Sequence, residues 1–223
     1  MKKIVILSSL FFLIGIEAFG QDQVTVKAGE DINTLLISNY LFPEFMNARV
    51  LLKNETVVAK MNYNALSGQM EYIDPSGEVL VLKNNAQAIV FPGRFFKQTS
   101  KGYLEIIADG IGFELLIHRK YRQGDIKKMG AYGTVSSTTA IDTQSFISTD
   151  LGVTSLTLAQ EVTYIKTSTY FIYASGKYLL ASKATFSKVF GKQKPGLEEY
   201  LKKSPVDFSS EDDLLRLFRY CTE

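Results

Sequence analysis

The 223-residue chain contains a single histidine, His118, and a single cysteine, Cys221. Those two counts remove most nucleophilic and metal chemistry. A metal centre built on His and Cys needs several such ligands at one point, so no metal or cofactor is expected. A Cys–His pair is arithmetically open, but Cys221 falls in an apolar repeat near the chain end, where cysteine acts as a small hydrophobe. Acids are more plentiful. Glu71, Glu105 and Glu114 lie on different strand-like segments, and two of them could face each other across a cleft as in a hydrolase. Glu211, Asp212 and Asp213 instead open a helical pattern, where carboxylates complement the helix dipole. Asp74 to Glu78 reads as a turn, without the spacing of an EF-hand. No motif with a catalytic mechanism is present, so the chain reads as non-enzymatic.

Positive charge gathers at Arg119-Lys120-Tyr121-Arg122 and Lys127-Lys128, followed by the glycine-framed Gly130-Ala131-Tyr132-Gly133. The glycine segment lacks the Gly-Lys-Ser/Thr ending of a phosphate-binding loop and reads as a tight turn anchored by Tyr132. A basic run of this kind is a solvated hairpin or a surface for an anionic partner such as a phosphorylated lipid or an acidic polysaccharide. On the second reading Arg119, Lys120, Arg122, Lys127, Lys128 and Tyr132 are the candidate binding residues. A net charge of +2 gives no general attraction to nucleic acid. Tryptophan is absent, which disfavours a sugar platform built on indole, although the 12 tyrosines could substitute. A second set of lysines runs from Lys177 through Lys183, Lys188, Lys192 and Lys194 to Lys202 and Lys203.

These residues have to be placed by a scaffold, and the stretch from Asn47 to Leu82 is its clearest part. Val57, Ala59, Met61 and Tyr63 alternate with Thr56, Lys60 and Asn62, which puts one set on a core face and the other toward water. Asn64-Ala65-Leu66-Ser67-Gly68 is turn-prone, and Met70 and Tyr72 resume the alternation. Asp74-Pro75-Ser76-Gly77 is a turn by residue chemistry. Glu78 to Leu82 is apolar on both faces, as an interior strand covered on both sides would be. Further strands are expected over 24–27, 88–91, 94–97, 103–108, 113–121, 161–174 and 177–181. In the segment 113–121, Phe113, Leu115, Ile117 and Tyr121 face one way, and Glu114, His118 and Lys120 the other. Glu114 and His118 are then roughly 13 Å apart, too far to form a dyad. The Ser/Thr-rich residues 135–150 read as a sheet edge or ordered loop.

After residue 181 the apolar period becomes helical. Phe186, Val189 and Phe190 share one stripe, and Leu197, Tyr200 and Leu201 share another. Ser209-Ser210 caps a third segment, whose stripe is Leu214, Leu217, Phe218 and Cys221. The fold class expected is α+β: an antiparallel β-rich meander with about three C-terminal helices packed on the sheet. The domain layout expected is a signal peptide over 1–20, a β-rich domain over 21–181, and a helical segment over 182–223. Lys2 and Lys3 precede an apolar run shorter than the ~20 residues that span a bilayer, and small residues precede Gln21. That is the pattern of a cleaved export signal. No second run is long enough to cross a membrane.

Tyr40-Leu41-Phe42-Pro43-Glu44-Phe45, Met61-Asn62-Tyr63-Asn64 with Met70-Glu71-Tyr72, and Gly130-Ala131-Tyr132-Gly133 carry a resemblance over most of the mature chain. With the signal ending at Gly20-Gln21, the sequence resembles a family of uncharacterised exported proteins of the Bacteroidota. The resemblance implies a periplasmic, outer-membrane-associated or secreted location and supplies no site residues. The function expected is a binding or scaffolding module of the envelope, partnered by an envelope protein or an anionic envelope component. A carrier of a small apolar ligand or lipid, with a pocket lined by Phe91, Phe95, Phe96 and Phe113, is the alternative. An unrecognised hydrolase is the third reading.

Overall fold

The computed structural model describes residues 23–27, 40–83, 86–129, 135–138, 148–149, 152–153 and 161–223. The expected signal peptide over 1–20, the Gly130–Gly133 turn with Tyr132, and most of the Ser/Thr-rich stretch lie outside these residues. The strands are β1 (Gln23–Val26), β2 (Met46–Leu52), β3 (Thr56–Asn64), β4 (Gln69–Ile73), β5 (Val79–Val81), β6 (Ala86–Phe91), β7 (Arg94–Thr99), β8 (Gly102–Gly110), β9 (Phe113–Met129), β10 (Val135–Thr138), β11 (Ser148–Thr149), β12 (Gly152–Val153), β13 (Glu161–Ala174) and β14 (Lys177–Leu180). Three helices follow: α1 (Lys183–Phe190), α2 (Leu197–Lys203) and α3 (Glu211–Thr222). The main sheet runs β1-β13-β9-β8-β7-β6-β2-β3-β4-β5, with β10 beside β9 and β14 beside β13; β11 and β12 form a separate ribbon. Each pairing in it is antiparallel. The fold is therefore α+β and β-rich, and no helix among the described residues is long and apolar enough to cross a membrane.

Turn chemistry sets the meander. Asp74 Oδ1 accepts from the Ser76 and Glu78 amides at 2.9 Å each, and Gly77 takes a φ of +88°, a region that glycine enters without a Cβ clash. The strand after this turn departs from expectation. Glu78 to Leu82 was predicted to be interior, yet β5 pairs only with β4 and ends the sheet, leaving Val79 45% exposed. Its apolar character is used on one side, where Leu82 packs against the core beneath β3 and β4.

The first half of the sheet curls back on itself. The Tyr63 ring on β3 stacks on Phe96 of β7 at 5.9 Å, and the Tyr63 hydroxyl donates to the Arg119 carbonyl on β9 at 2.6 Å. The Tyr121 amide donates to the Ala65 carbonyl in the β3–β4 turn at 2.9 Å. The curl encloses one core, in which Val50, Met61, Tyr63, Met70, Ile89, Phe91 and Phe96 are buried.

A second core lies beside it, under the helices. Leu115 and Ile117 of β9 and Tyr170 and Ile172 of β13 meet Phe186 and Phe190 of α1, Leu197 and Leu201 of α2, and Leu214, Leu217, Phe218 and Cys221 of α3. The helical segment thus shares its core with the sheet. Each fully buried side chain of this size contributes roughly 1.5–3 kcal/mol. Ser210 caps α3, its Oγ accepting from the Asp213 amide at 3.4 Å, with Glu211, Asp212 and Asp213 in the first turn. Replacing Ser210 by alanine is expected to lower stability by about 1 kcal/mol, read as a shifted denaturation midpoint at unchanged slope.

Candidate functional site

Alternation along β9 assigns its side chains to two sides of the sheet. Leu115, Ile117 and Arg119 face the helices, while Glu114, Leu116, His118, Lys120 and Arg122 face outward. Register carries the outer face across neighbouring strands: Glu114 stands beside Tyr173 and Tyr178, Leu116 beside Phe171, and Lys120 beside Thr167. Lys97 of β7 reaches the same place and holds both carboxylate oxygens of Glu114, at 2.5 and 2.7 Å. Its Nζ lies 5.3 Å from the Tyr173 ring centroid, and the Tyr173 and Tyr178 rings are 5.0 Å apart at 46°. Lys101 sits over the Phe171 ring at 5.6 Å. Beneath these groups Leu104, Leu116 and Phe171 are buried.

Of the residues expected to bind, Lys120 and Arg122 are exposed on this outer face and form no ion pair among the described residues. Lys127 and Lys128 belong to the run read as a solvated hairpin or a surface for an anionic partner, and β9 and β10 pair antiparallel there. Both lysines lie within β9, which continues past Tyr121 to Met129, with Lys127 opposite Glu161 of β13 and Lys128 opposite Ser136 of β10. Tyr132 lies outside the described residues. His118 is half-buried beside Lys120; burial first and then the Lys120 charge lower its pKa, so the ring is neutral at physiological pH.

Arg119 does not belong to this surface. It faces inward and bonds Glu105 through Nε at 3.0 Å and Glu211 of α3 through a terminal nitrogen at 3.1 Å. Glu105 also pairs with Arg94 at 3.3 Å. Burial pulls the Arg119 pKa down, but Glu105 and then Glu211, by charge and hydrogen bonding, outweigh it and raise the pKa overall. The guanidinium therefore joins the seam between the two cores.

The three acids weighed for hydrolysis occupy separate surroundings. Glu105 lies in that inner seam, and Glu114 on the outer face holds Lys97. Glu71 is buried beside the residues 40–45 segment, where it accepts from the Tyr40 hydroxyl and, at 3.1 Å, from Asn64 Nδ2. Asn62, expected on a watered face, is also fully buried. Its amide donates to the Phe42 and Glu44 carbonyls at 2.9 and 3.2 Å and its Oδ1 accepts from the Phe42 and Tyr63 amides, so all its capacity is used. Nor do the four phenylalanines proposed for a carrier share one pocket. Phe91 and Phe96 fill the curl, Phe113 packs on Phe190 in the helical core, and Phe95 is half-buried.

Sequence reasoning missed Lys97, Lys101, Tyr173 and Tyr178 as members of this surface. The two tyrosines keep the outward parity of their strand pairing, a signal readable once register is known. Lys97 and Lys101 come from other elements and carry no such signal. No family model matches this chain, and comparison with curated proteins and with solved structures gives no match either.

Proposed function

We propose that this chain is a non-enzymatic binding module of the cell envelope, exported by a cleaved N-terminal signal and resembling the exported Bacteroidota family. Its outer sheet face docks an anionic envelope component. The observation that carries the reading is the exposed pair Lys120 and Arg122, which form no ion pair among the described residues, on the same face as Lys101 and the Lys97–Glu114–tyrosine group. Arg119 is spent inside the protein and Glu114 is neutralised by Lys97, which leaves the exposed cations to set the charge at that end of the face. Attraction through such side chains is long-ranged only at low salt, because the Debye length falls from ~30 Å at 0.01 M to ~10 Å at 0.1 M.

The test is fractionation of the native host. The wild-type chain, cut before Gln21, is expected in the envelope fraction at low salt and to be released as salt rises. The double variant Lys120→Glu, Arg122→Glu is expected in the soluble periplasmic or secreted fraction. Uncut protein in the cytosol defeats the export reading, and a variant retained like the wild type defeats the docking face.

A further inference from the structure

We infer that the outer face binds an acidic glycan chain, with Tyr173 and Tyr178 stacking on sugar rings and Lys101, Lys120 and Arg122 holding its acidic groups. This rests on the anionic-docking reading and narrows it to a ligand class. The face is polarised along β9. At one end Glu114 stands beside exposed Asp109 of β8, and the Lys97–Glu114 pair presents donors and acceptors next to two half-buried rings. A charge-neutral pair of that kind suits the hydroxyls of a sugar, which both donate and accept. Lys101 stands partway along, over Phe171, and the other end carries the exposed Lys120 and Arg122. From Glu114 to Arg122 the strand covers roughly 26 Å, enough for an extended chain to touch both ends.

A membrane surface fits this face less well. Lipid insertion needs projecting apolar groups, whereas Leu104 and Leu116 are fully buried here and the Phe171 ring lies under Lys101. The strongly exposed large apolar side chains bordering it are Ile111 in the β8–β9 turn, 100% exposed, and Leu180 of β14, 57% exposed, single groups on different elements rather than a projecting apolar cluster. Aromatic rings flanked by cations also suit single-stranded nucleic acid. The exposed Asp109 carboxylate at the tyrosine end opposes a backbone charged at every step, whereas a glycan of mixed acidic and neutral sugars can set a neutral ring there.

The experiment is calorimetric titration of the mature protein with a hyaluronan oligosaccharide, in which acidic and neutral sugars alternate, a neutral cello-oligosaccharide, a single-stranded oligodeoxynucleotide, and phosphatidylglycerol vesicles. The hyaluronan oligosaccharide is expected to bind, in a salt-sensitive way, and the other three to bind at least about tenfold more weakly. The variant Tyr173→Leu, Tyr178→Leu keeps apolar cover over Leu116 and is expected to lose binding by at least about tenfold. Lys97→Met is a second variant, expected to weaken binding without removing either ring. Thermal unfolding of each variant shows whether it folds. Full binding by both folded variants overturns the glycan platform but leaves anionic docking standing if the Lys120→Glu, Arg122→Glu variant fails to bind. Full binding by that charge-reversed variant overturns both. Preference for vesicles or oligonucleotide overturns the glycan assignment.

Discussion

Replacing Arg119 by methionine is expected to destabilise the protein by about 3–5 kcal/mol. Methionine retains much of the aliphatic stem, so the loss comes chiefly from the charge and its hydrogen bonds. The reason for so large a value is Glu105, which is 5% exposed and would keep only Arg94 as a cation, itself half-exposed and at 3.3 Å. A buried carboxylate stripped of its main partner carries its desolvation cost uncompensated. Breaking one side of such a pair is therefore far worse than replacing both. The double variant Arg119→Met, Glu105→Leu is accordingly expected to recover most of the loss. Glu211 is indifferent by comparison, because it is partly exposed and can turn to water. Urea titrations of the two single variants and the double variant give the coupling directly. Additive losses would show that Arg119 and Glu105 do not act as a pair.

That experiment bears on how the two cores are joined. Arg119 touches both: its side chain reaches α3 through Glu211, and its carbonyl accepts the Tyr63 hydroxyl from the curled half of the sheet. Tyr63 stacks on Phe96 a short distance away, and burial raises the pKa of its hydroxyl. Loss of the guanidinium is then expected to loosen α3 and the β3–β4 turn together, although they belong to different hydrophobic clusters.

The parts of this architecture legible in the sequence are those governed by local periodicity. The three helices announce themselves through stripes such as Leu214, Leu217, Phe218 and Cys221, all of which are buried. The hairpin at Asp74–Gly77 follows from turn chemistry alone. What could not be read is which polar residues would be covered by distant chain. Asn62 sits at an alternation position that ordinarily faces water, and only the arrival of Phe42 and Glu44 above it makes it internal. Arg119 was grouped with Lys120 and Arg122 because they are neighbours in sequence. On a strand, adjacent residues point to opposite sides, and Leu115 and Ile117 already marked the inward parity. The outer face was legible only along β9, where Glu114, His118 and Lys120 share one parity; Lys97, Lys101, Tyr173 and Tyr178 come from other elements, and no spacing rule links them to it.

Glu71 should make the stability of the protein depend on pH in the direction opposite to most carboxylates. Burial raises its pKa, working against hydrogen bonds from Tyr40, Asn64 and Ser67 that favour the charged form. In the unfolded chain the group returns to an ordinary glutamate value. Between that value and the raised one, the folded protein keeps a proton that the unfolded chain has lost, so stability falls as pH rises through the window and levels off above it. Glu71→Gln has no such proton to lose. The difference in denaturation free energy between wild type and Glu71→Gln is therefore expected to drift against the wild type as pH increases through this range; a constant difference contradicts the burial argument. Glu71→Leu goes further. It leaves the Asn64 amide donor with no acceptor in a fully buried position and strands the Tyr40 hydroxyl, at about 3 kcal/mol in total. Asn64 also holds the β3–β4 turn through its Oδ1, which accepts from the Leu66 and Ser67 amides at 3.0 and 3.2 Å. Damage should then spread from Glu71 in two directions, to that turn and to the 40–45 segment. Hydrogen exchange at the Leu41 amide, bonded to the Tyr63 carbonyl at 2.9 Å, and at the Leu66 amide should accelerate together, ahead of amides in the helical core. If the Leu41 amide exchanges no faster than in the wild type, Asn62 alone suffices to hold the segment and Glu71 is not its anchor.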